Sequence, residues 1–391
     1  MSSGIALLAL AYVLSQFFRA FLAVLSPFLR SDVGAGPEAL AFASGLWFFA
    51  FAAMQLPVGW ALDTLGPRRT AGWLLLVGGG GGSAVFALAT LPFHIDIAMV
   101  LIGVGCSPVL MASYYIFARE YPPVRFAMLA SIMVGVGTTG NLVASYPMAI
   151  AAETVGWRAA LWGLAVVSAA TATGILACVK DPAHPEGQRS GSLKDVLSMP
   201  ALWLIFPMMI VSYAVVGALR GLWIGPYLAD VFSADARSIG WATLGMSVAM
   251  IAGTLAYGPL DRIFGTRKWV IFAGSLGTLV ATVALVIWTS ESFILSAALM
   301  CAIGFFGATY APIMAHGRSF LPPALVGRGI TTLNLCSIGG VGLAQFVSGR
   351  VYAVSVPAAT TAASYQMIFM LFAALLLIGM VIYFFAQDTS G

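Results

Sequence analysis

A chain of 391 residues with 61% hydrophobic and only 8% charged side chains cannot cover itself with the charged surface that a water-soluble domain of this size needs. The net charge is a modest +4, and Cys106, Cys178, Cys301 and Cys336 form no CxxC or Cys/His cluster, which argues against a disulfide framework or a metal-ligand set. No HExxH, nucleotide loop or basic aromatic tract occurs, so hydrolase, ATP-driven pump and nucleic-acid roles have little support.

Apolar runs of about 20 residues match membrane helices and not the roughly ten-residue alternating strands of a barrel. In chain order, hydropathy places spans at 5–29, 39–62, 70–90, 95–117, 128–151 and 158–179. Six more follow at 202–229, 239–260, 269–288, 292–315, 329–353 and 364–386. The first run has no basic leader and no small-residue cleavage site, and is read as a retained helix. The polar segment 180–201 separates an N-terminal six-helix bundle (1–179) from a C-terminal one (202–391) and reads as a linker. The cysteines fall in or beside apolar runs and are expected to be buried thiols.

Orientation follows from the basic residues of the short loops. One side receives Arg68, Arg69, Arg119, Arg125, Lys180, Arg189, Lys194, Arg262, Arg267, Lys268, Arg318 and Arg328; the other receives only Arg30, Arg158, Arg237 and Arg350. The richer side is expected to be cytoplasmic, with both termini on it. The halves also repeat. Pro27 and Pro226, Gly66 and Gly265, Arg68 and Arg267, and Arg119 and Arg318 are each 199 residues apart, and Asp63 and Asp261 are 198 apart. Six spans per copy make the copies parallel, which places a substrate path between the halves.

Between spans 2 and 3 the chain reads Gly59-Trp60-Ala61-Leu62-Asp63-Thr64-Leu65-Gly66-Pro67-Arg68-Arg69, and its later copy carries Gly258, Asp261, Gly265, Arg267 and Lys268. An acid closing one helix, a glycine turn and two cations opening the next form a compact electrostatic latch. With the twelve spans and the repeat, this loop resembles the G-x-x-x-D-x-x-G-x-R-R signature of the major facilitator superfamily of secondary transporters. The resemblance covers the whole chain. It implies an all-α integral membrane fold of twelve transmembrane helices in two parallel six-helix repeats, with no enzymatic activity and no cofactor. It also makes Gly59, Asp63, Gly66, Arg68, Arg69, Asp261 and Arg267 a conformational latch for rocking-bundle alternating access.

Only Arg19 and Arg220 carry charge deep inside apolar spans, and no Asp or Glu lies at a comparable depth. A central arginine costs at least about 2.5 kcal/mol and does not shed its proton. Two such groups create a positive site whose planar donors suit carboxylate, phosphate or sulfonate oxygens. Arg19, eight residues before Pro27, is similar in placement to the first-helix arginine of the organophosphate antiporter and organic-anion symporter branches. The resemblance implies that it binds the substrate's anionic group. In span 7 the organophosphate place falls on Ala218, and Arg220 is six residues before Pro226. Gln55, Tyr114, Tyr115 and Asn141 in the first half, and Tyr213, Trp223, Tyr310, Asn334 and Gln345 in the second, are the polar groups near mid-depth that could orient a substrate. Neither His94 nor His316 is placed mid-span with an acid, so neither is assigned a proton relay.

The expected function is secondary transport of a small organic anion in a bacterial inner membrane, by a monomer. A counter-anion or a coupled proton is the expected second partner; the bilayer is the surrounding one, and no nucleic acid is expected. The other readings left open by the sequence are a multidrug or neutral-metabolite exporter and a transporter-like receptor that binds without turnover.

Overall fold

The computed structural model describes residues 3–182, 193–322, 325–356 and 360–388. His184 and Arg189, part of the linker segment 180–201, Pro323, Met1 and Gly391 lie outside the described residues. Among the described residues, regular structure is helical throughout. Ten helical runs are long and apolar enough to cross a membrane, and a bent pair, Ser3–Phe17 and Phe21–Val33, makes another span. One of the ten, Met128–Cys178, is 51 residues long. At 1.5 Å per residue that is about 77 Å, more than twice the hydrocarbon thickness. It divides at Gly156, whose φ of +87° breaks the helix into Pro123–Val143 with its continuation and Trp157–Cys178. Twelve spans result among the described residues.

Proline sets most of the internal breaks. A proline ring clashes with the carbonyl four residues earlier. The helix Pro37–Ala53 stops four residues before Pro57, Pro123–Val143 stops four before Pro147, and Pro200–Trp203 stops four before Pro207. Pro108 and Pro312 sit just after breaks in spans 4 and 10. Pro27 and Pro259 instead lie within continuous helices. The 51° bend of span 1 lies at Phe18–Ala20, and no proline stands at the residues that would cause it.

The chain divides into two compact units, Met1–Gly187 with Asp235–Gly240, and Gln188–Ala234 with Trp241–Gly391. In the first, span 5 lies so close to span 1 that a Cβ on Gly140 would come within 3.0 Å of Val13 O and Phe17 N. In the second, a Cβ on Gly340 of span 11 would stand 2.5 Å from Ile210 O of span 7. Gly140 and Gly340 are 200 residues apart, so the sequence repeat extends to the backbone crossings that only glycine allows.

One end of each unit carries a second repeated contact. Trp157 Nε1 donates to Asp32 Oδ2 at 2.8 Å, joining the start of span 6 to the end of span 1. Tyr365 Oη donates to Asp230 Oδ2 at 2.6 Å, joining span 12 to span 7. The expectation of buried thiols holds for Cys106 alone. Cys301 and Cys336 are half-buried and Cys178 is exposed, because apolar faces in such a chain turn outward to lipid as readily as inward.

Candidate substrate site

Arg19 occupies the break in span 1. Its amide donates back to Gln16 O at 3.3 Å in a tightened turn, and the next half-helix begins at Phe21. Discontinuous helices expose backbone and side-chain donors to one point, which is how ion and substrate sites are commonly built at membrane depth. The side chain is 9% exposed and its guanidinium lies over two rings of span 2, with Cζ 5.4 Å from the Trp47 ring centre and 5.0 Å from that of Phe51. Ring faces offset part of the desolvation of a buried cation. They accept no conventional hydrogen bond, and Arg19 Nε has no hydrogen-bond partner among the described residues. Trp47 Nε1, on a fully buried indole, is in the same condition.

Trp47 and Phe51 were not singled out from the sequence. Their spacing of four residues on one helix face is a signal, but aromatic pairs at that spacing are ordinary in apolar spans. The other first-half candidates divide. Gln55 is buried and donates to Phe51 O at 3.1 Å, within its own span. Tyr114 packs at the edge of an apolar core formed by residues such as Tyr12, Val58 and Met133 with its ring tilted against Phe126, and Tyr115 lies under the Arg119 guanidinium. Asn141 is 7% exposed, and its Oδ1 has no hydrogen-bond partner among the described residues.

In the second unit, Arg220 is 2% exposed and lies within Leu219–Trp223, which is wound as a π-helix. Such turns are rare and concentrate at functional positions; nothing in the apolar sequence announces this one. Tyr310 Oη donates to Asn334 Oδ1 at 2.8 Å, and the Tyr213 and Tyr310 rings stand 5.7 Å apart, so three second-half candidates form one group. Gln345 Nε2 donates to Ala218 O at 3.2 Å. Trp223 Nε1 donates to Ser348 Oγ at 2.8 Å among the Tyr352 and Tyr365 rings, so its polar end is already engaged.

The two loops expected to act as a latch are built alike. Gly66 and Gly265 both have positive φ, +85° and +63°, the region that glycine adopts without strain. Asp63 meets Arg119 at 3.8 Å, and Asp261 meets Arg267 at 3.1 Å. A Cβ on Gly59 would meet nothing within 4 Å, and Arg69 is exposed. The partners that close each loop were not found from the sequence. Asp181 Oδ1, just past span 6, accepts the Arg68 amide at 2.8 Å, and Arg68 Nε donates to Leu176 O. Asp388 Oδ1, just past span 12, accepts the Lys268 amide at 3.1 Å, and Thr266 Oγ1 donates to its other oxygen. Burial alone would raise the Asp388 carboxyl, but the donors from Thr266, Lys268 and Arg267 and the nearby His316 outweigh it and hold its pKa below the ordinary 3.8. His316, expected at a helix rim without an acid, is fully buried and within electrostatic reach of Asp388. Its Nε2 donates to Gln387 O at 2.9 Å, which leaves Nδ1 to accept from Tyr383 Oη at 2.7 Å.

Among known proteins, a probable sulfoacetate transporter of Cupriavidus necator is 22% identical to this chain over 404 residues, covering 95% of the chain and 90% of the relative. A 4-hydroxybenzoate transporter of Pseudomonas aeruginosa is 30% identical over 152 residues, 37% of this chain and 32% of that protein. A solved bacterial homologue of the human lysosomal transporter Spinster, inward-facing and occupied, superposes with a TM-score of 0.78 at 17% identity, over 98% of this chain and 96% of that one. A D-xylose–proton symporter gives 0.79 at 14% identity, over 98% and 97%. These likenesses establish the fold: twelve spans in a multi-pass membrane protein. The family model described as Major Facilitator Superfamily matches residues 8–223 and again 205–390, so this chain belongs to that superfamily, a membrane transporter and not an enzyme.

Proposed function

We propose that this chain moves a small organic anion across a bacterial inner membrane by rocking-bundle alternating access, with Arg19 as the anchor for the anionic group. One observation carries the reading. Two buried donors, Arg19 Nε and Trp47 Nε1, stand together at the break of span 1 without an acceptor among the described residues. An unpaired buried donor costs the full desolvation of its group, so the pair calls for an acceptor-rich, negatively charged partner. The two named relatives add support, since sulfoacetate and 4-hydroxybenzoate are both organic anions. With no carboxylate at the depth of Arg19 in the sequence, exchange against a second anion fits better than proton transfer through the protein. The monomer is the working unit, and both termini are cytoplasmic.

Thermal-shift titration of the purified protein with sulfoacetate, 4-hydroxybenzoate and phosphate esters tests the anchor. R19K keeps the charge and loses the planar fork, whereas R19Q keeps two donors and loses the charge. Both should weaken a binding anion, R19Q the more, by roughly ten- to a hundredfold, because a charge-assisted hydrogen bond is worth about 1.5–3 kcal/mol. An anion that binds folded R19Q as tightly as wild type would sink the assignment. Uptake into sealed proteoliposomes then separates transport from binding alone.

A further inference from the structure

Asn141 carries the inference one step further, from the charge of the substrate to its second functional group, and this step rests on the anion reading above. Gly140 fixes where Asn141 lies. A Cβ there would collide with Val13 O and stand 2.9 Å from Phe17 N, so this turn of span 5 presses on the last turn of Ser3–Phe17. Phe17 is two residues, about 3 Å of helix rise, from Arg19. Asn141 therefore shares the depth of the span 1 break. Its backbone carbonyl is occupied by Ser145 Oγ at 2.7 Å, while its buried side-chain Oδ1 accepts nothing from the described residues.

Arg19 Nε and Trp47 Nε1 are donors only, and Asn141 Oδ1 is an acceptor only. They lie in one unit of the fold and do not satisfy one another. A ligand that satisfies all three must accept at one end and donate at the other. An ammonium donor would bring a second cation near the Arg19 guanidinium in a medium of low dielectric, where like charges repel strongly. A neutral hydroxyl has no such penalty. We propose that the substrate is an organic anion that also carries a hydroxyl group: its carboxylate or sulfonate takes Arg19 and Trp47, and its O–H donates to Asn141 Oδ1.

Matched ligand pairs test this in the full-length purified protein: 4-hydroxybenzoate against benzoate, and 2-hydroxyethanesulfonate against ethanesulfonate, with affinities measured by titration calorimetry. A site built to pair with a hydroxyl discriminates strongly against the analogue that lacks it, so wild type should prefer the hydroxylated member of at least one pair by roughly tenfold or more. N141A should collapse that ratio to near one. R19Q should weaken both members of the pair and preserve the ratio, because it removes the anion contact alone. Equal binding of both members of each pair by wild type would overturn the proposal without touching the anion reading. So would a folded N141A that keeps the wild-type ratio, which would make Asn141 a packing residue of the span 1–span 5 crossing. Binding of none of the four probes, with other organic anions also silent, would remove the anion reading and this proposal with it. Should N141A fail to fold, N141L, which keeps the side-chain volume and removes the acceptor, answers the same question: its ratio should also fall to near one, and a folded N141L that keeps the wild-type ratio would overturn the proposal.

Discussion

At the scale of single residues, the sequence displayed Arg19 plainly, because a charge in an apolar run has no cheap lodging elsewhere. It did not display Trp47 or Phe51, whose indole and phenyl rings are indistinguishable in composition from any lipid-facing aromatic. Asp388 was equally hidden. An acid just past the last apolar run looks like a solvated flank, and only the fold brings it to the Lys268 amide at 3.1 Å. Its folded pKa is depressed, so the carboxylate contributes stability above its unfolded value of 3.8 and loses it as pH falls through the lower folded value. D388N should therefore lower the melting temperature near neutral pH, by the equivalent of about 1 kcal/mol or less for an exposed cap. In a pH series of melting scans the gap from wild type should stay constant down to pH 5 and close only below 3.8. A gap that closed above pH 5 would assign the effect to a group other than the Asp388 carboxylate.

Among the helices, proline positions gave most of the breaks in advance, since the clash with the carbonyl four residues back is a local matter. The bend at Phe18–Ala20 was not legible because no local residue forces it; it coincides with a buried cation. The π-wound turn around Arg220 was hidden for the same reason. It also alters the comparison with the organophosphate place at Ala218, since a turn closed one residue later advances less per residue than an α-turn. Helix crossings give a sharper test. A Cβ on Gly140 collides with span 1, whereas one on Gly135, five residues earlier in the same helix, meets nothing within 4 Å. G140A should destabilise the protein by about 1–3 kcal/mol through overpacking, and G135A should leave the melting temperature near wild type. Equal effects from the two would mean that spans 1 and 5 are not held this closely.

For the molecule as a whole, twelve spans and a two-fold repeat were readable from hydropathy and from offsets near 199 residues, because membrane thickness and loop charge act on sequence directly. The repeat proved deeper than the loops: the Gly140 and Gly340 crossings and the Asp32–Trp157 and Asp230–Tyr365 ties are its structural side. What remained unread was the set of long-range partners, which depends on which helix ends meet. Topology is tested by D235C, which should react with a membrane-impermeant thiol reagent added outside intact cells, in a background where Cys178, the exposed native thiol, is replaced by serine. Labelling only after the membrane is opened would reverse the orientation. The closing acids also impose an order in time. Asp181 follows Arg68 by 113 residues, and Asp388 follows Lys268 by 120. During synthesis each basic loop therefore emerges long before the carboxylate that caps it exists. The backbone amides that open the next helix, those of Arg68 and Lys268, gain their acceptors only when the last helix of their half is complete, so the start of each of these helices stays uncapped by its acid until late in synthesis.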